Sequence, residues 1–197
     1  MSVLFSIVLF FLAVIVHEFA HGWMAYKLGD PTAKYSGRLT LNTFAHIDPV
    51  GTIILPLFLI ITNSPILFGW AKPIPVNFFR LNHPKKDMVW VGLAGPLANI
   101  ILAVVISIIL KLNFYFLPVE ILRYFITLNL VLAIFNLIPI PPLDGSRVLM
   151  GLLPSHLGYN YMRLEQFGFV IIIIMLYLRI FDFIIWPIVL TILRFLL

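Results

Sequence analysis

VLFSIVLFFLAVIVHEFAHGWMAY, residues 3–26, is the stretch on which the fold turns. As a helix it rises about 36 Å, at about 1.5 Å per residue, which exceeds the roughly 30 Å of hydrocarbon in a bilayer. From Val3 to Val16 it carries no charge. It has no basic n-region, and no small-residue cleavage site follows Val16, so it reads as a retained helix and not as a removable signal peptide. Composition agrees with the bilayer reading. The 197 residues are 62% hydrophobic and 11% charged, against about 25% charged in a soluble domain, too few charges to cover a surface in water. The predicted fold class is an all-α polytopic membrane protein, a bundle of about five to six transmembrane or re-entrant helices. Cysteine is absent, which excludes disulfides and thiolate catalysis. The formal charge of +5 does not point to nucleic acid, because basic residues in such a chain chiefly mark the cytoplasmic side.

Lys27-Leu28-Gly29-Asp30-Pro31 punctuates the end of the first helix. Residues 32–47 alternate Thr, Tyr and Leu with polar residues, a pattern that predicts short β or extended elements after the first helix. Asp48-Pro49 is a helix start, with Asp as cap and Pro in the first turn. The apolar run 50–68 is broken by Pro56, Asn63 and Pro65, and the prolines at 73 and 75 bar a regular helix through 69–77. Further helices are predicted over 87–110 and 119–137, with a short one after Asp144-Gly145 and two apolar stretches at 161–181 and 184–197. The whole of 1–197 reads as one membrane-embedded domain.

Lys27, Lys34 and Arg38 follow the first helix, and Lys72, Arg80, Lys85 and Lys86 follow the broken run. If both basic clusters are cytoplasmic, 50–68 returns to the side it left; a full crossing would separate them. Non-helical backbone at that depth needs protein or a wet cavity beside it. The predicted placement is an inner (cell) membrane, multi-pass, with the first helix descending to the cytoplasm.

His17-Glu18-Phe19-Ala20-His21 carries the chemistry. Residues four apart on a helix share a face, with Cβ atoms about 5–6 Å apart, so both imidazoles can reach one ion while Glu18 faces the same cavity. The spacing suits zinc with a carboxylate beside its water. At this chain's composition the pattern arises by chance in about two of a thousand such chains. Three ionisable groups within a membrane helix are costly and mark function.

A catalytic zinc site has three protein ligands and one open position. Asp30, Asp48, Asp87, Glu120, Glu165 and Asp182 lie near segment ends, where solvated or capping roles suit them. Asp144 stands apart. It follows Asn136-Leu137-Ile138-Pro139-Ile140-Pro141-Pro142-Leu143 on the side where the first helix ends, and Gly145 permits a tight turn. Its competing role is the N-cap of a helix over 146–153.

Together His17-Glu18-x-x-His21 and Asn136-x-x-Pro139-x-x-x-Leu143-Asp144-Gly145 resemble the site-2 protease family of intramembrane zinc metalloproteases. Gly95-Pro96-x-x-Asn99, His46-Ile47-Asp48-Pro49-x-Gly51 and Gly69-Trp70-Ala71-Lys72-Pro73 are similar to segments of its short bacterial members, and no stretch reads as the PDZ or CBS domains of larger ones. The resemblance implies that His17, His21 and Asp144 bind one zinc ion per chain and that Glu18 acts on water. It also implies that Asn136 lies near the metal, holding a substrate carbonyl or oxyanion, and that the site opens toward the cytoplasm. Asn99 fits helix packing better than catalysis, and His46 fits loop hydrogen bonding, with a role behind the site as the alternative. His83 and His156 fit solvated turns, Trp23 and Trp70 an interfacial belt as well as substrate contacts, and Arg147 pairing with either Asp144 or headgroups.

The function so implied is zinc-dependent hydrolysis of peptide bonds in or near transmembrane segments of membrane-protein or peptide substrates, either in regulated intramembrane proteolysis or in clearance of membrane remnants. Two rivals are a metal transporter, which needs further ligands along a path, and a catalytically dead scaffold, which has no need of Glu18.

Overall fold

The computed structural model describes residues 3–62, 72–114 and 117–197. Three helices in it are long and apolar enough to cross a membrane. These are α1 (Val3–Lys27), α4 (Pro84–Lys111) and α5 (Val119–Leu137). Between them lie α2 (Thr32–Tyr35) and α3 (Leu55–Ile61). After them come α6 (Asp144–Leu152), α7 (Ser155–Met162), α8 (Glu165–Tyr177) and α9 (Ile180–Leu196). Helix α4 is central, packing on α1, α5 and α6, and α9 packs on α5. The main core joins Ala103 and Ile106 of α4, Leu122, Ile126 and Leu130 of α5, Ile172 of α8, and Ile185 and Val189 of α9. Outward positions of the long helices are equally apolar: Val8, Leu12, Leu97, Ile101, Val105 and Ile108 are exposed. A helix apolar on its buried and its exposed sides has lipid for a neighbour.

Five to six transmembrane or re-entrant helices were expected; among the described residues three are spans, α8 and α9 form a broken span or a re-entrant loop, and Pro49–Ile61 is a shorter apolar helix. The break between α8 and α9 lies at Leu178-Arg179, where Arg179 adopts a left-handed backbone (φ 57°) and the axes bend by 76°. Neither α8 nor α9 alone reaches the roughly 30 Å a span requires, since their 13 and 17 residues rise about 20 and 26 Å.

No strand forms among the described residues of 32–47, which corrects the expected β elements. Local capping decides this. The Asp30 carboxylate accepts from the Thr32 amide (3.0 Å) and starts α2. The Asn42 side chain accepts from the Phe44 amide (3.1 Å) and starts a 3-10 turn over Thr43–His46. Such side-chain bonds give the backbone an alternative to a ladder. Asp48 caps the next element as its sequence predicts, accepting from Val50 and Gly51 (3.1 and 2.7 Å). A π-helical turn over Pro49–Ile54 then leads into α3.

The connection from α1 to α4 ends where it starts. Asn82 N–H donates to the Leu28 carbonyl (2.9 Å), and α1 and α4 run antiparallel from that point. Whatever depth 50–61 reaches, the chain returns to the end of the bundle it left. Asn63, Pro65 and Gly69-Trp70-Ala71 lie outside the described residues.

Candidate metal centre

Three helix ends meet at the basic end of the bundle. Helix α1 brings His17, Glu18 and His21, α4 brings Val91, Gly95 and Asn99, the end of α5 brings Asn136 and the start of α6 brings Asp144. Asp144 Oδ2 lies 2.9 Å from His17 Nε2 and 3.1 Å from His21 Nε2, and the two Nε2 atoms are 3.0 Å apart. His17 and His21 are buried and Asp144 partly so. Among the described residues no other set of three His, Cys, Asp or Glu side chains converges in this way.

The ring nitrogens facing away from this triangle fix where each ring, when neutral, carries its hydrogen. His21 Nδ1 lies 2.7 Å from the Val91 carbonyl, which can only accept, so Nδ1 carries the hydrogen. His17 Nδ1 lies 2.6 Å from Asn99 Oδ1, and the Asn99 amide nitrogen donates to the Ala13 carbonyl (3.1 Å). That orients the Asn99 oxygen toward His17, which therefore donates. In a neutral imidazole the other nitrogen is then a lone pair. Two lone pairs and a carboxylate oxygen within 3.1 Å of one another repel unless a cation sits among them. The edges are within a few tenths of an ångström of the ~3.3 Å separating ligand atoms about a tetrahedral zinc with ~2.0 Å bonds. A donor set of two nitrogens and one oxygen, with each outer ring nitrogen donating to a fixed acceptor, fits zinc.

Asp144 reaches the triangle from a sharp corner. It opens α6, and Gly145 is pressed so closely on the end of α5 that a Cβ there would meet the Leu137 carbonyl, with the Ile138 oxygen 2.6 Å away. Gly95 makes the matching accommodation on α4: a Cβ there would fall 2.6 Å from His17 Nε2 and closer still to His21 Nε2. Only a residue without a side chain lets both rings lie against α4.

His17, Glu18, His21, Asn136, Asp144 and Arg147 share the lining of one cavity of ≈ 350 Å³ with Ile74, Val76 and Phe78 from the non-helical segment 72–77 and the turn after it. Glu18 Oε2 accepts the Ile74 amide (2.8 Å), which ties that segment over the site. Asn136 spends one amide hydrogen on the Leu132 carbonyl of its own helix (2.9 Å), leaving the second for other partners. Arg147 pairs with Glu165 (2.8 Å), not with Asp144, and its guanidinium stands 5.4 Å over the Phe78 ring. His46 bonds the Thr40 carbonyl (2.8 Å), the loop role expected of it. Trp23 is exposed, as an interfacial residue would be.

Two residues carry more than their sequence context suggested. Asp30 is buried and does more than cap. Besides Thr32 it accepts the Asn77 amide (2.6 Å), fastening segment 72–77 to the end of α1. Asn129, fully buried in α5, accepts from the Asn99 amide (2.8 Å). Its signal was available in the sequence: a lone amide amid apolar span residues, seven before Asn136 and hence on the same helix face.

Comparison with known proteins agrees with this geometry. The model of peptidase family M50 matches residues 5–118 and 116–178. "Putative zinc metalloprotease YwhC" of Bacillus subtilis (strain 168) is 40% identical over 183 residues, covering 87% of this chain and 80% of that protein. "Putative zinc metalloprotease Rip2" of Mycolicibacterium smegmatis is 28% identical over 175 residues, covering 84% of this chain and 63% of that protein. "Zinc metalloprotease MJ0392" of Methanocaldococcus jannaschii is 28% identical over 157 residues, 77% of this chain and 35% of that protein. No solved structure matches. With a buried His-His-Asp triangle in a membrane-helix bundle and a family model spanning most of its length, the chain belongs to peptidase family M50, the site-2 protease family.

Proposed function

We propose that this chain is an intramembrane zinc endopeptidase that hydrolyses peptide bonds in or near transmembrane segments of membrane-protein substrates. His17, His21 and Asp144 hold the single zinc ion, and residues 1–197 act as one membrane-embedded domain. The observation that carries the reading is the triangle of His17 Nε2, His21 Nε2 and Asp144 Oδ2, 2.9–3.1 Å on each edge, sharing a cavity with Glu18. Zinc bound there would acidify a water and polarise the scissile carbonyl. Glu18 then takes the water's proton and returns it to the leaving amine. Its Oε2 stays held by the Ile74 amide, so Oε1 is the oxygen that moves the proton. The spare Asn136 amide hydrogen is suited to the substrate carbonyl oxygen as charge builds on it.

A substrate helix must unwind first, because its carbonyls are bonded within the helix. Segment 72–77 is non-helical and borders the cavity, which supports it as an edge for an unwound substrate to pair with. The basic residues Lys27, Lys34, Lys72, Lys85 and Lys86 gather at the site's end of the bundle, which supports a cytoplasm-facing site in a cell membrane. A metal path through the bilayer finds no support among the described residues, since besides the triangle the buried polar groups of α1, α4 and α5 are the amides Asn99 and Asn129, Ser107, which bonds the Leu196 carbonyl, and Asp87, which caps the start of α4.

Purified protein loaded with zinc and offered a transmembrane peptide in liposomes tests the reading. Wild type should cleave. Glu18→Gln should cut at least about 10²-fold more slowly while keeping its zinc. Equal cleavage by both would remove Glu18 from the reaction, and no cleavage by wild type of any membrane peptide would remove the protease reading.

A further inference from the structure

Behind the metal triangle a chain of side-chain amides crosses from α1 through α4 to α5. His17 Nδ1 donates to Asn99 Oδ1 (2.6 Å). The Asn99 nitrogen donates to Asn129 Oδ1 (2.8 Å) and to the Ala13 carbonyl (3.1 Å). The Asn129 nitrogen donates to the Phe125 carbonyl one turn back on α5 (2.8 Å). Both asparagines are fully buried.

The chain has one possible direction. Main-chain carbonyls only accept, so Phe125 fixes which end of the Asn129 amide is nitrogen, and the Asn129 oxygen then demands the Asn99 nitrogen. Reversing Asn129 would set oxygen against oxygen at Phe125 and nitrogen against nitrogen at Asn99. Reversing Asn99 would set oxygen against oxygen at both Ala13 and Asn129, and would turn a donor toward His17. Facing a donor, His17 would place its hydrogen on Nε2, the atom aimed at Asp144 and His21. Both hydrogens of the Asn99 nitrogen are used in the observed arrangement. Without Asn129 a single bond, to Ala13, would hold that amide in place.

We propose that Asn129 is a positioning residue for the metal centre: acting through Asn99, it fixes the His17 tautomer that presents a lone pair at Nε2. The inference rests on the zinc reading above, but the His17 tautomer can be measured without zinc. Groups one step behind a metal ligand typically change affinity 10–100-fold. Asn99→Leu should fall in that range, and Asn129→Leu, one step further back, near its lower end, about 10-fold.

The test uses the full chain in detergent micelles. Zinc affinity is read by chelator competition, the His17 tautomer by ¹⁵N NMR of histidine-labelled zinc-free protein, and folding by thermal unfolding of the same zinc-free samples. Asn129→Leu should weaken zinc binding about 10-fold and add an Nε2–H population at His17. Asn129→Asp, protonated at a buried site and still able to donate to Phe125 and accept from Asn99, should restore most of both. In an Asn99→Leu background, Asn129→Leu should weaken zinc no further, because the link it acts through is already gone. Asn129→Val carries the same expectation should the Leu variant not accumulate folded. An unchanged affinity and tautomer in Asn129→Leu would overturn the inference, as would an equal loss in both backgrounds, which a mere packing role produces. A wild type that takes up no zinc would remove the zinc reading and leave the tautomer populations to decide the role of Asn129.

Discussion

Adding one methyl group at Gly95 probes the metal centre without altering a ligand. In Gly95→Ala the new Cβ would lie 2.6 Å from His17 Nε2, where ordinary contact begins at 3.4 Å, and nearer still to His21 Nε2. The His17 ring would have to retreat by about 0.8 Å and the His21 ring by more, against a tolerance of about 0.2 Å in metal–ligand distances. Neither ring has that freedom, since each is tethered on its far side, by Asn99 and by the Val91 carbonyl. Rotation about those tethers would carry Nε2 out of line with Asp144. A displacement near 1 Å costs about 10²-fold in a reaction that depends on geometry. Zinc affinity and peptide cleavage should therefore both fall by about 10²-fold or more. Overpacking of this kind costs about 1–3 kcal/mol in stability, so the zinc-free protein should remain folded. The assay is chelator competition for zinc and cleavage of a transmembrane peptide in liposomes, with thermal unfolding of metal-free protein alongside. Gly158→Ala is the control, because its nearest neighbour stands 3.8 Å away and both activities should be retained. Wild-type zinc affinity in Gly95→Ala would refute the packing of the two rings against α4.

Other consequences concern how the site is held together. Asp30→Ala leaves the Thr32 and Asn77 amides without their acceptor; at about 1–3 kcal/mol per fully buried stranded group, and less for these part-buried ones, it should lower stability by at least about 1 kcal/mol and speed proteolytic nicking within 72–77, and unchanged nicking would show that the segment is held by other means. Gly145→Ala sets a Cβ against the backbone oxygens of Leu137 and Ile138, which cannot swing aside as a side chain can. It should cost about 3 kcal/mol or more and reduce the yield of folded protein, whereas a wild-type melting temperature would contradict the tight corner before α6.

The membrane class and the candidate centre of His17, His21 and Asp144 beside Glu18 were legible because each rests on a local regularity. A long uncharged run sets the span, and His17 and His21 four apart share a face. Asp144 was legible through its motif and its corner glycine, although its partner histidines lie more than 120 positions away. What escaped was decided by long-range partners or by competition. Alternation over 32–47 read as strand, but Asp30 and Asn42 offered the Thr32 and Phe44 amides a nearer acceptor and wound the chain into turns. The break between α8 and α9 falls at Arg179, where no Gly or Pro marks it. Asp30 read as a solvated or capping carboxylate; it does accept the Thr32 amide, but its bond to Asn77 was hidden because that partner is 47 residues away. Asn99 read as helix packing, and its contact with His17 is visible only once α1 and α4 are set side by side. Arg147 had two candidate partners, and the structure supplied a third in Glu165.

The most direct test of the central claim is zinc stoichiometry and affinity in the full chain, measured for wild type and for His17→Ala, His21→Ala and Asp144→Ala. The account predicts one zinc per wild-type chain and binding weakened at least about 10²-fold in each variant, since each loses one of three protein ligands. A variant that binds zinc as tightly as wild type, above all Asp144→Ala, would contradict it.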